Sequence, residues 1–260
     1  MRTLALLIGL SLAMPAAAKL TPAQLAEVQV DAQAGAAFPL SLRFADTHGV
    51  ERSLGEVIGT HPAVVVFADY TCTNLCGPIL AFAADGLSKS GLAPGKDFHL
   101  VVIGLDPKDK PGDAMAMKAS RIGMNTALAQ ASVFLMGNAA GVQAATQAAG
   151  YRYVYDKETD QFAHPAAAFV VARNGRIVRV LSGLGLTGDS LRLALVDAGQ
   201  GRVGTFLDQI RLHCFGFDPA RGIYTPAIVQ ILTIACCATV VILVGGIASL
   251  TFALRKRAAP

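Results

Sequence analysis

Two short apolar runs separated by a helical segment place the strongest constraint on the fold. The first run, Ala63–Ala68, reads AVVVFA, and the second, Phe98–Leu105, reads FHLVVIGL. The first is continuously apolar and the second is interrupted only by His99, which is typical of strands that are buried on both faces of a sheet. The segment between them, Leu75–Ser90, has the apolar spacing of a helix. Because a helix that joins two such strands must cross over the sheet, we predict that the strands are parallel.

The segments that flank this unit extend it into a mixed sheet. Further helices are predicted at Asp113–Gly123, Asn138–Gly150 and Asp189–Ala198, and a further strand at Ala131–Leu135. Hairpins are predicted at Pro39–Val50, with its turn at His48-Gly49, and at Ala166–Ser182, with its turn at Asn174-Gly175. The predicted fold class is therefore α/β, a thioredoxin-like mixed sheet with flanking helices, over residues 38–200.

The N-terminal residues 1–18 have the layout of a secretory signal peptide. Arg2 precedes the apolar run Leu4–Leu12, and three alanines that end at Ala18 fit a cleavage site. The alternative is an N-terminal membrane anchor, for which this apolar run is too short. Residues 19–37 are rich in Ala and Gln, and we interpret them as a linker with room for a short helix.

The C-terminal stretch Ala227–Leu254 is predicted to form a single transmembrane helix. It contains no charged residue, and at about 1.5 Å per residue it is longer than a hydrocarbon core of roughly 30 Å. Arg255-Lys256-Arg257 follows directly, and basic residues favour the cytoplasmic side. Residues 201–226 are then a juxtamembrane segment and residues 255–260 a cytoplasmic tail.

Together the two ends predict a location for the folded domain. The domain is expected in the periplasm or outside the cell, held at the inner (plasma) membrane by one helix in contact with lipid. Disulfides are permitted in such a compartment. The formal net charge of +4 includes the basic ends, and the sequence carries no nucleic-acid-binding signature.

Two cysteines follow the first apolar run, in the stretch YTCTNLC. Cys72 and Cys76 lie between a predicted strand and a predicted helix, where ligands bind in open α/β sheets. Being four residues apart, they share one helix face, so they can form a disulfide or bind one metal ion. A helix N-terminus favours thiolate, which is both a nucleophile and a metal ligand. The pair alone leaves open a redox dithiol, a metal site, a plain disulfide and inert buried thiols.

His164 is the histidine best placed to join the two cysteines. It lies in FAHPAAAFVV, at the end of a loop and the start of the closing hairpin. In a thioredoxin-like fold this loop lies beside the dithiol. Two thiolates and one imidazole suit copper, since thiolates favour Cu(I) and an imidazole helps to hold Cu(II). Zinc accepts the same atoms but usually takes a fourth ligand, and an exposed histidine without a ligand role is the simplest alternative.

These residues resemble the Sco/SenC family. The resemblance rests on YTCTNLCGPIL, on GLDPKD at Gly104–Asp109, and on His164 placed before the closing hairpin, with LRFADTHGV as a further match. It covers roughly Phe38–Ala198. In this chain Gly77 follows the second cysteine, so the family's proline comes one position later, at Pro78.

The resemblance implies a thioredoxin-like copper protein that helps to build the copper centre of a haem-copper (cytochrome c) oxidase. By position, Cys72, Cys76 and His164 would be the copper ligands, and Asp106 and Asp109 would be supporting residues near the site. The implied partner is the copper-bearing subunit of the oxidase, with other copper carriers or thiol reductants as further partners. Such a protein is a metallochaperone rather than a turnover enzyme.

Two other functions use the same fold. A thiol–disulfide oxidoreductase that reduces the cysteines of the oxidase copper site needs only Cys72 and Cys76. Pro165, directly after His164, is placed like the cis-proline of thioredoxins. A peroxidase needs a lone activated cysteine with a supporting arginine or tryptophan, and the chain contains no Trp.

The remaining cysteines lie outside the predicted site. Cys214 falls in the juxtamembrane segment and is interpreted as an unpaired thiol. Cys236 and Cys237 fall in the predicted transmembrane helix and are interpreted as apolar filler.

Overall fold

The computed structural model describes residues 20–72, 76–199, 215–218, 223–226, 233 and 236–246. Its strands are β1 (Gln29–Val30), β2 (Arg43–Asp46), β3 (Glu51–Ser53), β4 (Ala63–Ala68), β5 (His99–Gly104), β6 (Ser132–Met136), β7 (Tyr151–Arg152), β8 (Val154–Asp156), β9 (Gln161–Ala163), β10 (Ala167–Val171), β11 (Ile177–Ser182), β12 (Phe215–Asp218) and β13 (Ile223–Pro226). Its helices are α1 (Pro22–Ala26), α2 (Leu54–Ile58), α3 (Cys76–Lys89), α4 (Pro111–Arg121), α5 (Ala127–Gln130), α6 (Ala139–Ala148) and α7 (Gly188–Ala198), with a 3₁₀ turn η1 at Gly183–Gly185.

A seven-stranded mixed sheet forms the centre of the domain, in the order β11-β10-β4-β5-β6-β2-β3. β4, β5 and β6 are mutually parallel, as the crossover helices predicted. β10 pairs antiparallel with both β4 and β11, and β2 pairs antiparallel with β6. The closing hairpin therefore makes the sheet mixed, and the thioredoxin-like architecture is confirmed.

β4 shows why its run is continuously apolar. Val64 and Val66 pack into the core on the side of α3, α4 and α7, while Val65 and Phe67 pack into the core on the side of α2 and α6. All six of its residues are buried. Burying a side chain such as Phe67 contributes about 1.5–3 kcal/mol, so a polar residue on either face would be costly. This burial fixes where β4 ends and where the following loop begins.

The predicted helices and hairpins are present with small shifts at their ends. α4 begins at Pro111, two residues before the predicted Asp113, because proline fits the first helical turn and the Asp113 carboxylate accepts a hydrogen bond from the Lys110 N–H. In the first hairpin the turn at His48-Gly49 is confirmed, and the strands are β2 and β3. The closing hairpin is formed by β10 and β11.

The segment interpreted as a linker is attached to the domain. Thr21 and Gln24 form a capping box that begins α1, and β1 pairs antiparallel with β7 through Gln29–Arg152 and Val30–Tyr151. The sequence also gave no indication of α2, α5 or the small antiparallel pair of β8 and β9. Of these additions, α1, β8 and β9 contribute residues to the cavity that Cys72 lines.

Beyond residue 199 the description is partial. β12 and β13 form an antiparallel hairpin, and residues 236–246 are helical. Among the residues that the structure describes, no helix is both long enough and apolar enough to cross a membrane. The predicted signal peptide, Cys214, the cytoplasmic tail and most of the predicted transmembrane helix lie outside the described residues.

Candidate metal centre

Cys72 and His164 line one cavity of about 570 Å³ at the carboxyl end of β4. Cys72 lies in the loop after β4, where its free thiol is 7% exposed. Its sulfur lies 3.8 Å from Oε1 of Gln161, a residue of β9 that also lines the cavity. His164 lies in the short connection from β9 to β10. The fold thus brings together two residues that are more than ninety positions apart in the chain.

Asp69 connects the two segments that carry these side chains. Its Oδ1 accepts hydrogen bonds from the backbone N–H and the hydroxyl of Thr71, at 3.1 and 3.0 Å. Its Oδ2 accepts a hydrogen bond from the backbone N–H of Phe162 at 3.1 Å. Asp69 is fully buried, so these contacts are made away from water. The carboxylate therefore holds the loop of Cys72 against the strand that precedes His164.

The two ring nitrogens of His164 have different surroundings. Nδ1 lies 2.8 Å from the hydroxyl of Tyr151 and 3.2 Å from the carbonyl oxygen of Pro165. Nε2 is buried and has no hydrogen-bond partner among the described residues. Burial lowers the pKa of His164, and the Pro165 carbonyl and the Asp69 carboxylate only partly oppose this effect. The imidazole is therefore neutral near pH 7, and one of its nitrogens is not bonded to any described residue.

Cys76 is the first residue of α3, and its side chain lies outside the described part of the structure. Its predicted role as a ligand stays a prediction. Among the described side chains, no three His, Cys, Asp or Glu residues come together in a way that could hold a metal ion. Pro78 and Ile79, in the first turn of α3, line the cavity beside Cys72.

Asp106 lies beside this cavity rather than in it. It lines a second, larger cavity of about 990 Å³. Phe162 lines both cavities and lies between them. Its Oδ1 accepts a hydrogen bond from the backbone N–H of Lys108, whose ammonium lies 3.7 Å from Oδ2. These contacts do not join Asp106 to Cys72 or His164, so its predicted supporting role stays a prediction.

Asp109 is partly buried beside Gly104, at the end of β5. Both of its carboxylate oxygens are buried, and neither accepts a well-formed hydrogen bond from a described residue. The Tyr70 backbone N–H lies close enough to lower the pKa of Asp109, but it is the weakest of the influences on this group. Burial raises the pKa of Asp109 to about 7, and the carboxylates of Asp69 and Asp106 add to the rise. Its predicted supporting role also stays a prediction.

The N-terminal segment supplies one wall of the cavity. Leu20, Leu25 and Val28 line it opposite the loop of Cys72. Leu25 is about half exposed, so it lies at the rim rather than in the core. An apolar wall limits the water around the thiol and the imidazole.

Sequence reasoning did not find Asp69, Tyr151 and Gln161. The position of Asp69 directly after a buried strand could have indicated it, because side chains there lie at the functional edge of the sheet. Tyr151 and Gln161 belong to strands of two and three residues, which are too short to show a pattern. The His164–Pro165 peptide bond is trans, as are all peptide bonds among the described residues.

Comparison with known families agrees with this geometry. The SCO1/SenC family model matches residues 30–192, which is more than half of the chain. The chain belongs to the SCO1/SenC family. The match begins at Val30 in β1, so it includes the strand that pairs with β7. No curated protein matches the chain well enough to count as a relative.

Solved structures share the fold at low sequence identity. A protein from Aquifex aeolicus VF5 aligns with a TM-score of 0.57 at 21% identity, covering 66% of this chain and 97% of its own. Arabidopsis thaliana ScoI, solved with copper bound, aligns with a TM-score of 0.51 at 16% identity, covering 63% and 96%. BsSco, a member of the Sco family of cytochrome c oxidase assembly proteins with a disulfide switch, aligns with a TM-score of 0.52 at 19% identity, covering 64% and 96%.

Proposed function

We propose that this SCO1/SenC protein is a membrane-anchored copper chaperone. In this proposal Cys72, Cys76 and His164 bind copper, and the protein passes it to the copper centre of a haem-copper (cytochrome c) oxidase during assembly. The observation that carries the proposal is the buried Nε2 of His164, which lies in one cavity with the Cys72 thiol and has no hydrogen-bond partner among the described residues. Family membership and the copper-bound fold relative support the same conclusion.

The donors fit copper as cargo. Thiolate sulfur is a soft ligand and imidazole nitrogen is a borderline one. Both suit Cu(I) and Cu(II) better than they suit hard cations. A buried, neutral imidazole needs no deprotonation before it binds a metal. The cavity opens to the surface through an apolar rim, which allows an incoming partner to exchange ligands with the bound ion.

Membrane attachment and a location outside the cytoplasm belong to the same proposal. They rest on the apolar stretch Ala227–Leu254, on the basic residues that follow it and on the layout of residues 1–18. The part of this stretch that the structure describes is helical and exposed, with apolar side chains at Val240–Val244.

The decisive experiment measures copper binding by the purified full-length protein. We expect wild type to bind one copper ion, and we expect Cys72→Ala, Cys76→Ala and His164→Ala each to weaken binding at least ten-fold, since each removes a donor. Copper content and competition against a chelator of known affinity give the result. His61→Ala, which changes a histidine that precedes β4 and lines a different cavity, serves as the matched control. Wild-type binding by all three site variants would refute copper binding at this site.

Thiol–disulfide exchange makes a different prediction about His164. Exchange needs only the two thiols, and it predicts that His164→Ala keeps full oxidase assembly in cells while Cys72→Ala does not. The copper proposal predicts that both variants lose assembly. The buried and unpartnered Nε2 favours the copper function, because an exchange site has no need of a free imidazole nitrogen.

A further inference from the structure

The hydroxyl of Tyr151 lies between two atoms of the His164–Pro165 segment. It donates a hydrogen bond to the Pro165 carbonyl oxygen at 2.8 Å and lies 2.8 Å from Nδ1 of His164. Nδ1 itself lies 3.2 Å from the same carbonyl oxygen. The three polar atoms therefore form a closed triangle beside the cavity.

The geometry of the triangle shows which nitrogen of the imidazole ring carries the proton. A carbonyl oxygen can only accept, and the single hydroxyl hydrogen of Tyr151 is directed to it. Nδ1 then faces two acceptors, so it must carry the hydrogen. A neutral imidazole has only one N–H, so Nε2 holds the lone pair. The opposite tautomer would turn the Nδ1 lone pair toward the Pro165 oxygen and would leave a buried Nε2–H without a partner.

The position of the hydroxyl is fixed by the core. Tyr151 is 3% exposed, and its ring centroid lies 4.7 Å from that of Phe67 and 5.9 Å from that of Phe169. Its backbone pairs with Val30 through β1 and β7. The phenol therefore has little freedom to leave the triangle, and it restricts rotation of the imidazole in turn.

We propose that Tyr151 is a positioning residue that sets the Nδ1–H tautomer of His164 and directs the lone pair of Nε2 into the cavity as a metal donor. The inference rests on the proposed function for its purpose, although the tautomer itself does not depend on copper. Groups that orient a metal-binding histidine typically affect metal affinity 10–100-fold. Because the Pro165 carbonyl stays as a second acceptor for Nδ1–H, we expect the lower end of that range.

The first test measures the tautomer in the metal-free full-length protein. The ¹⁵N chemical shifts of the His164 imidazole distinguish a protonated Nδ1 from a protonated Nε2. We expect wild type to show the Nδ1–H form and Tyr151→Phe, which keeps the packed ring, to show a mixture of both forms. Tyr153→Phe is the matched control, because it removes a hydroxyl that bonds to Thr146 instead. An Nε2–H form in wild type, or wild-type shifts in Tyr151→Phe, would overturn the inference.

The second test measures the affinity for Cu(II), the ion for which an imidazole donor counts most. We expect Tyr151→Phe to bind it on the order of ten-fold more weakly than wild type, with Tyr153→Phe unchanged and His164→Ala weaker than either. Wild-type affinity in Tyr151→Phe beside a weakened His164→Ala would overturn the role of Tyr151 alone. If His164→Ala bound copper like wild type, the proposed function would fail, while the imidazole shifts would still decide whether Tyr151 sets the tautomer.

Discussion

At the scale of single residues, two buried aspartates near the site show how surroundings decide a role. Asp69 follows β4 and satisfies its carboxylate with three hydrogen bonds that join two chain segments. Asp109 has no such partners, and it fills space beside Gly104, where an added Cβ would lie 2.7 Å from its Oδ2. Burial of the second carboxylate disfavours its charged form, so Asp109 is expected to make stability depend on pH.

Replacement of Asp109 by asparagine is expected to stabilise the protein at alkaline pH. Its pKa of about 7 in the folded state lies above the ordinary value of 3.8 for an aspartate, so the folded state binds more protons than the unfolded state between these values. The stability of wild type must then fall as the pH rises through this window. We expect Asp109→Asn to raise Tm more at pH 8 than at pH 5, as measured on the metal-free full-length protein.

A matched variant separates this effect from the general effect of removing a charge. Asp85 is exposed and pairs with Lys89 at 2.7 Å, so Asp85→Asn makes the same chemical change outside the core. Exposed pairs of this kind contribute little, and we expect no comparable pH-dependent gain. Equal gains at pH 5 and pH 8 in Asp109→Asn would show that its carboxyl does not titrate in this window.

The sequence was sufficient to indicate two side chains of the site but not the groups that hold them. Cys72 follows β4 and His164 precedes β10, and both lie at one edge because these two strands are antiparallel neighbours. Tyr151 and Asp69 act through hydrogen bonds to backbone atoms of Pro165 and Phe162. Such bonds depend on where a loop passes in three dimensions, and no residue spacing encodes that.

At the scale of elements, the N-terminal segment differs most from the expectation. Its composition suggested a linker with room for a short helix. α1 is such a helix, but the pairing of β1 with β7 was not expected. Long strands and helices were predicted well, because burial on both faces of a sheet imposes a pattern over many residues. β8 and β9 have three residues each, which is too short to show an alternating apolar pattern. The turn between them has a positive φ of 51° at Asp160 rather than at a glycine, so the sequence did not indicate a turn there.

Removing residues 20–27 is expected to expose Cys72. Leu20 and Leu25 form part of the cavity wall, and the thiol is only 7% exposed behind it. We expect Cys72 in the shortened protein to react several-fold faster with iodoacetamide, as followed by mass spectrometry of its peptide. The deletion leaves β1 in place, so the pairing that supports Tyr151 is kept.

A point variant makes the same test without shortening the chain. Leu25→Ala removes most of one side chain from the wall and should raise the reaction rate of Cys72 by a smaller factor than the deletion. Leu184→Ala is its control, since Leu184 is fully solvated and is not part of the wall. A deletion variant whose Cys72 reacts at the wild-type rate would show that other residues shield the thiol.

At the scale of the whole molecule, the chain joins a domain with a closed core to an apolar C-terminal stretch. Within the described helix at residues 236–246, five consecutive large apolar side chains, Val240–Val244, are 54–73% exposed. A helix that is apolar all round is stable when it is buried in a protein core or in lipid. Since no described residue covers these side chains, lipid is the environment that we expect for them.

A protein that ends at Pro226 is therefore expected to be soluble, while the full-length protein stays in the membrane. We expect the full-length chain to resist extraction from membranes by alkaline carbonate and to need detergent, and we expect the shortened chain to appear in the soluble fraction with its domain folded.

A second variant, with Val241 and Leu243 both changed to Arg, should also leave the membrane, because each charge near the centre of a span costs about 2.5–3.5 kcal/mol on insertion scales. Changing the same two residues to Ala keeps the stretch uncharged and should keep the protein in the membrane. Recovery of the full-length protein by carbonate alone would contradict the anchor and would require another surface to cover this helix. Copper binding is expected to survive the removal of the anchor, because Cys72, Cys76 and His164 all belong to the domain that the central sheet organises.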